Sequence, residues 1–531
     1  MKLSKLNILL LLLLPITAAC DGLGPVPPTP VVPTTTVNAN PSATPEPSKT
    51  VPAATTVTTA PASPTADPRS QTSSPTASPP STGQTVIGCE FENPPSGPET
   101  IGDTFYRGLG NSGYDVQHYL LDIDVNMDTK EISATAALDA TTLRGLDTFN
   151  LDFQGLKVNK VTLNGAEVQY RRDGREMKIT PAASMPENST FQVVVTYSGV
   201  PSAQEHEESP IKEGWNAYEG GVYVASEPSG AATWYPVNDH PCDKATYTMR
   251  ITVPKPYDVA ANSRLEETID NGDTNTFVWE ANSPMASYLV TMNIARYDRL
   301  EESTSSGLLI RNYFPETWPQ EKRDSFADTP QMIEYFNTIF GPYPFEAYGV
   351  VVIDLDLGFA LETQTMSLFG NNVALGRSSA GEVVAHELSH QWFGDSVSLQ
   401  TWKDIWLNEG FATYAQYLWL EHTEGKEAFE NQLRGAYGFI ENGNFPPPGD
   451  PAPDNLFNAS VYVRGALTLH ALRKEVGDDT FFNILRTYTG RYKYGNATTQ
   501  DFIDLSEELS GKDLDKFFAG WLQAENMPPF P

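Results

Sequence analysis

Val383-Val384-Ala385-His386-Glu387-Leu388-Ser389-His390-Gln391-Trp392-Phe393-Gly394-Asp395, followed by Trp406-Leu407-Asn408-Glu409-Gly410-Phe411-Ala412-Thr413-Tyr414, decides the reading of this 531-residue chain. Val383, Val384, Leu388 and Trp392 predict a helix over Val383–Phe393, in which His386 and His390 leave the same face and can hold one cation between them. Glu387 points toward the same cavity without being forced to ligate. The second segment reads as a tight entry into another helix, with Glu409 in its first turn and Phe411, Ala415, Leu418 and Trp419 at helical spacing. A carboxylate there can face the first helix and complete the ligand set. Two imidazoles and a carboxylate suit zinc with an open position, where the pKa of bound water falls to about 7. Such a site makes the nucleophile of a hydrolase, with one zinc ion per chain.

Upstream the periodicity changes. Leu121, Ile123 and Val125 alternate with Asp122, Asp124 and Asn126, and Tyr247, Met249, Ile251 and Val253 alternate with Thr246, Thr248, Arg250 and Thr252. Such period-two segments recur to about Ile294 and predict antiparallel sheets with one buried face. From about Phe326 the pattern is helical, with one β segment expected at Val350–Leu355. The fold class is therefore multidomain α+β, without an internal repeat.

VAHELSHQWFGD and WLNEGFATY, with GFALET upstream and VYVRGAL downstream, stand in the order that resembles the gluzincin aminopeptidases of the aminopeptidase N family, to which the leukotriene hydrolases also belong. The similarity runs from about Gly110 (GNSGYDVQHYLLDIDV) through EPSGAATWYPVNDHPCDKATY and PMASYL to the end of the sequence. It implies an antiparallel, β-rich, saddle-like amino-terminal domain, followed by a thermolysin-like, mainly helical catalytic domain with a small sheet. Residue by residue it implies His386, His390 and Glu409 as zinc ligands and Glu387 as general base. Tyr462 would stabilise the oxyanion, and Glu362 and Glu227 would receive the substrate's α-ammonium. Phe359, Ala360 and Leu361 would lie along the substrate backbone. The sequence departs from the family signature at Leu361, where methionine is usual, and at Thr363, where asparagine is usual. Read from its neighbours alone, Tyr462 would pass for a core aromatic and Glu227 for a solvated loop carboxylate. The expected activity is removal of amino-terminal residues from peptides with a free amine. A non-catalytic peptide-binding module, an epoxide hydrolase and an endopeptidase are the other roles this residue set admits. Family members commonly carry a large helical domain after the catalytic one. Here Asp515–Leu522 closes the catalytic domain with few residues beyond, so a more open cleft is expected.

The amino terminus adds a location. Lys2 and Lys5 precede the apolar run Ile8–Leu14 and the small residues Ala18 and Ala19, the pattern of a secretory signal. The run is shorter than the roughly 20 residues that span a bilayer. Cys20 stands where a bacterial lipoprotein would be cleaved and lipidated. This places the protein at the cell envelope, membrane-anchored through Cys20, with soluble export as the alternative. Residues 21–88 are dominated by Pro, Thr, Ser and Ala and read as an extended tether. The expected organisation is signal peptide 1–19, lipidated tether 20–88, β domain 89–298 and peptidase domain 299–531. Cys89 and Cys242 are the remaining cysteines; in an oxidising compartment they could pair, and two buried or semi-buried thiols are the default expectation. With 35 basic against 67 acidic residues, the net charge is −32, which disfavours nucleic-acid binding.

Overall fold

The computed structural model describes residues 100–205, 211–372 and 377–531, with only the backbone of 377–380. The signal-like segment, Cys20, the tether and Cys89 lie outside the described residues. Within them, the alternating strands bury one face: in Tyr114–Val125, Leu121, Ile123 and Val125 are buried while Asp122 and Asp124 are exposed. An eight-stranded sheet runs in the order Arg264–Asp270, Thr274–Met285, Ala245–Pro254, Tyr114–Val125, Ile132–Thr142, Thr190–Gly199, Lys157–Leu163, Ala166–Glu167. It is antiparallel as expected at every pair but one: Tyr114–Val125 and Ala245–Pro254 run parallel, with Leu121 opposite Met249 and Ile123 opposite Ile251. Alternation reports which face is buried and carries no information on strand direction. The long stretch of chain between the two strands supplies the crossover that a parallel pair needs.

A five-stranded sheet beside it contains the neighbours Lys212–Tyr218 and Gly221–Ala225. The second strand leads straight into Glu227. The loop after it is pressed against the first strand at a glycine pair. A Cβ on Gly214 (φ +98°) would meet Thr233 Oγ1 at 2.0 Å, and one on Gly230 would meet the Gly214 nitrogen at 2.3 Å. Only glycine fits either position, and the contact fixes the Glu227 loop beside Glu213.

The carboxy-terminal half carries a sheet ordered Tyr297–Ser303, Leu309–Pro315, Val350–Ile353, Ser367–Gly370, Ala360–Leu361, with Ala347–Tyr348 also against Leu309–Pro315. The single β segment expected at Val350–Leu355 is thus one strand among several, and it ends at Ile353. Its four residues are all buried, as both-face burial of a parallel strand requires. Ser367–Gly370 beside it and Ala360–Leu361 at the edge are too short to show a period. Helices Thr329–Phe340, Arg377–Ser389, Trp406–Glu424, Gly465–Val476 and Asp478–Arg491 pack against one another, and Arg377–Ser389 also meets the strand Ala360–Leu361. Helix Arg377–Ser389 stops earlier than expected. Gln391 and Trp392 amides bond back only three residues, to Leu388 and Ser389, and Gly394 (φ +132°) turns the chain away. Trp392 and Phe393 are therefore core residues of a turn, not of the helix.

Buried polar links join the two halves. Lys244 Nζ donates to the carbonyls of Asp395 (2.8 Å), Ser396 (3.1 Å) and Gly495 (3.4 Å). Asp103 pairs with His240 at 3.2 Å and accepts from Thr401 Oγ1 at 3.0 Å. Asn262 Nδ2 donates to the Gln364 carbonyl at 2.7 Å, in the turn that follows Glu362. Cys242 is disulfide-bonded, which corrects the default of free thiols; its partner lies outside the described residues. No described helix is long and apolar enough to cross a membrane.

Candidate active site

Helices Arg377–Ser389 and Trp406–Glu424 bring His386, His390 and Glu409 together. Glu409 Oε2 lies 3.2 Å from His386 Nε2 and 3.5 Å from His390 Nε2. Ligands at about 2.0–2.1 Å from a tetrahedral zinc stand roughly 3.3 Å apart, so this donor set fits that ion. His390 Nδ1 donates to the Phe393 carbonyl at 3.1 Å, which turns Nε2 toward the cavity. Helix Trp406–Glu424 meets helix Gly465–Val476 where glycines replace side chains: a Cβ on Gly410 would lie 2.9 Å from the Gly465 Cα and 3.2 Å from the Val461 carbonyl. Gly410→Ala should therefore shift the backbone next to Glu409 and lower stability by about 1–3 kcal/mol. A melting temperature unchanged from wild type would contradict this contact.

All the carboxylates of the cavity are buried. Glu387 follows His386 on its helix, and burial, then Glu362 and Glu409, push its carboxyl well above the usual range while His390 opposes. Burial acts upward on Glu409 as well, but the two histidines hold it down at about 2. Glu362 comes from the edge strand Ala360–Leu361 and the turn after it. Gln391 clamps that turn to the end of the histidine helix, donating to the Glu362 carbonyl at 3.0 Å and accepting from the Thr365 amide at 2.7 Å. Glu227, read from the sequence as a candidate loop carboxylate, is only 4 % exposed. Burial and then the charge of Glu362 push its carboxyl well above its ordinary value.

Tyr462 lies in a π-helical segment, Ser460–Arg464. Its ring stacks along that of His386, centroids 6.1 Å apart, and faces the cavity. Arg464, two residues on, turns the other way: Nε donates to the Trp521 carbonyl (2.8 Å), and its terminal nitrogens donate to those of Gly520 (3.1 Å), Ala524 (2.6 Å) and Glu525 (3.4 Å). Phe359, Ala360 and Leu361 line the cavity, so the structure gathers every candidate of the folded part into one place. Sequence reasoning missed Ile211, Thr413, Gln416 and Phe457, which also line it. Thr413 and Gln416 fall four and seven residues after Glu409, on its face of the helix, a signal that was present; Ile211 and Phe457 offer none.

A two-domain fold with paired helical histidines and a glutamate facing them from the next helix defines a protein of the gluzincin metallopeptidase class. Residues 325–521 match the Peptidase family M1 domain and residues 115–289 the Peptidase M1 N-terminal domain. The chain belongs to peptidase family M1. Aminopeptidase N of Lactococcus lactis subsp. lactis is 24% identical over 442 residues, 78% of this chain and 51% of the relative. Aminopeptidase M1 of Arabidopsis thaliana is 28% identical over 322 residues, 57% of this chain and 36% of the relative. The chain thus spans about a third to a half of the curated relatives it matches. The crystal structure of an M1 zinc metallopeptidase from Deinococcus radiodurans is alike over 81% of this chain and 99% of that one, with TM-score 0.75 and 29% identity.

Proposed function

We propose that this chain is a zinc-dependent aminopeptidase that removes amino-terminal residues from peptides. One observation carries the reading: the cavity holds more buried carboxylate than a single metal site needs. Glu227, Glu362 and Glu409 bring oxygens within 4.8 Å of one another, and Oε1 of Glu227 and Oε1 of Glu362 have no hydrogen-bond partner among the described residues. Buried charge must be paired. Glu409 belongs to the histidines and the cation they share. His390 Nδ1 stands 4.0 Å from Glu362 Oε1 but donates to Phe393. Glu227 and Glu362 are left for a second cation, and a substrate's α-ammonium supplies one.

Held by His386, His390 and Glu409, zinc supplies Lewis acidity and lowers the pKa of water at the site. Glu387 takes a proton from the attacking water and passes it to the leaving amine. The Tyr462 hydroxyl donates to the oxygen of the scissile carbonyl as charge develops there. Ala360–Leu361, at the edge of its sheet, offers backbone groups to the substrate. With the amine fixed by Glu227 and Glu362, the first peptide bond is the one presented to Glu387. In support, a mutant of the Deinococcus radiodurans relative is described as bound to a Tyr-Ser-Ala substrate. One equivalent of bound zinc together with turnover of fluorogenic aminoacyl amides is the expected result. A zinc-loaded protein without turnover would leave only a peptide-binding module.

The location proposed is the cell envelope, through a lipid on Cys20. In a bacterial host the wild type should partition into detergent and Cys20→Ala should not. An unmodified Cys20 in the mature amino terminus, seen by mass spectrometry, would favour soluble export.

A further inference from the structure

Glu227, Glu362, Glu387 and Glu409 face one cavity, and among the described residues no lysine or arginine lines it. Lys244, buried at the turn that holds Asp395, is committed to three backbone carbonyls. A zinc ion on two neutral imidazoles brings two positive charges against the four negative ones of the ionised glutamates. A single α-ammonium then meets only one of the two that remain, whereas a divalent cation meets both. The cavity has room for more positive charge than its substrate brings.

Oxygens of Glu227, Glu362 and Glu409 lie within 4.8 Å of one another, and all three residues are buried. Oxygen ligands about 2.0–2.6 Å from a magnesium or calcium ion stand roughly 3–5 Å apart, so the spacing suits one such ion. Oε1 of Glu227 and Oε1 of Glu362 have no hydrogen-bond partner among the described residues, yet both residues border the cavity. Their backbones are held beforehand. Gln391 clamps the Glu362 carbonyl, and the close contact of Gly214 with Gly230 fixes the loop of Glu227. Donors placed in advance lose little freedom when an ion binds. Glu362 also lies in a group with Glu387 and His390, but both nitrogens of His390 are engaged. Nε2 faces Glu409 and the metal they share, and Nδ1 donates to the Phe393 carbonyl. The group containing Glu227 is the one with free donors.

We infer that Glu227, Glu362 and Glu409 form the site of a second divalent cation, which shuts out the substrate's amine and so inhibits the enzyme. The inhibition rests on the aminopeptidase reading above; the site itself does not. Three carboxylates without imidazole or thiolate suit an oxygen-preferring ion such as manganese or calcium. Zinc keeps its place on the histidines, because such donors bind it more tightly than manganese. Glu409 is common to both donor groups, and two ions about 3.5–4 Å apart can share one protein site. The second ion sits where the ammonium would, so the two exclude each other.

The test titrates zinc-loaded protein with manganese(II), reading the free ion by electron paramagnetic resonance. One manganese per chain should bind above the weak surface binding that a net charge of −32 brings. Leucine amide at ten times its own Kd should weaken that manganese about tenfold, and acetyl-leucine amide should leave it within about twofold. Glu227→Gln and Glu362→Gln should each weaken it at least about tenfold with one zinc retained, since affinity follows ligand charge. Glu387→Gln should stay within about threefold. In turnover, manganese at ten times its Kd should raise KM for a leucyl amide about tenfold and leave kcat unchanged. Manganese affinity unchanged in Glu227→Gln and Glu362→Gln, or a leucine amide that binds without displacing the ion, would overturn the inference. If a variant does not fold, the displacement on the wild type still decides. Should leucine amide fail to bind even without manganese, the amine-binding reading fails, and the variants alone decide the cation site.

Discussion

Glu387→Ala is expected to lower kcat by about 10² to 10⁴ while one equivalent of zinc remains bound. The side chain follows His386 on the same helix and borders the cavity. Its oxygens are absent from the His386, His390 and Glu409 donor group, although they lie close to His390 and Glu362. Removing it takes away the proton carrier and leaves the ligand set complete. His390→Ala should behave in the opposite way, releasing the metal because Glu409 and His386 alone cannot close the site. Metal analysis beside single-turnover rates separates the two. Stoichiometric loss of zinc from Glu387→Ala would make Glu387 a ligand and remove the general base from the mechanism.

Acetylating the amino terminus of a good peptide substrate should slow its cleavage at least about a hundredfold. The modification removes the one substrate charge that Glu227 and Glu362 can meet, leaving two carboxylates unpaired in a site that excludes water, a penalty of several kcal/mol. Glu362→Ala should narrow the gap from the other side, because it harms only substrates that bring an ammonium. Comparing kcat/KM for one peptide, free and acetylated, on wild type and Glu362→Ala decides the point. Equal cleavage of both peptides by the wild type would describe an endopeptidase.

The histidine pair and Glu409 were legible from the sequence because helical spacing is local: residues four apart must share a face, and Glu409 announces itself in the first turn of its helix. Tyr462 was legible only by resemblance. Its π-helical segment breaks the helical phase, so the tyrosine faces the cavity from between Val461 and Val463, both buried, and no periodic pattern reveals it. Glu227 follows Gly221–Ala225, all buried, and its own burial comes from the loop that Gly214 and Gly230 press together. The parallel pair of Tyr114–Val125 with Ala245–Pro254 and the extra strands around Val350–Ile353 went unread because burial patterns record faces and are silent on direction and partner.

Arg464 gives the far end of the chain a part in chemistry it never touches. Its guanidinium is a rivet through the carbonyls of Gly520, Trp521, Ala524 and Glu525, and the other end of the same short segment presents Tyr462. Anyone trimming this protein would see residues 520–525 as a dispensable edge. Cutting before Gly520 would unseat the π segment, leaving a protein that binds its metal and its peptide yet has lost the hydroxyl that receives the oxyanion. Truncation mapping read by zinc content alone would therefore miss the damage, and a fusion partner at this end needs a spacer that leaves those carbonyls where Arg464 finds them.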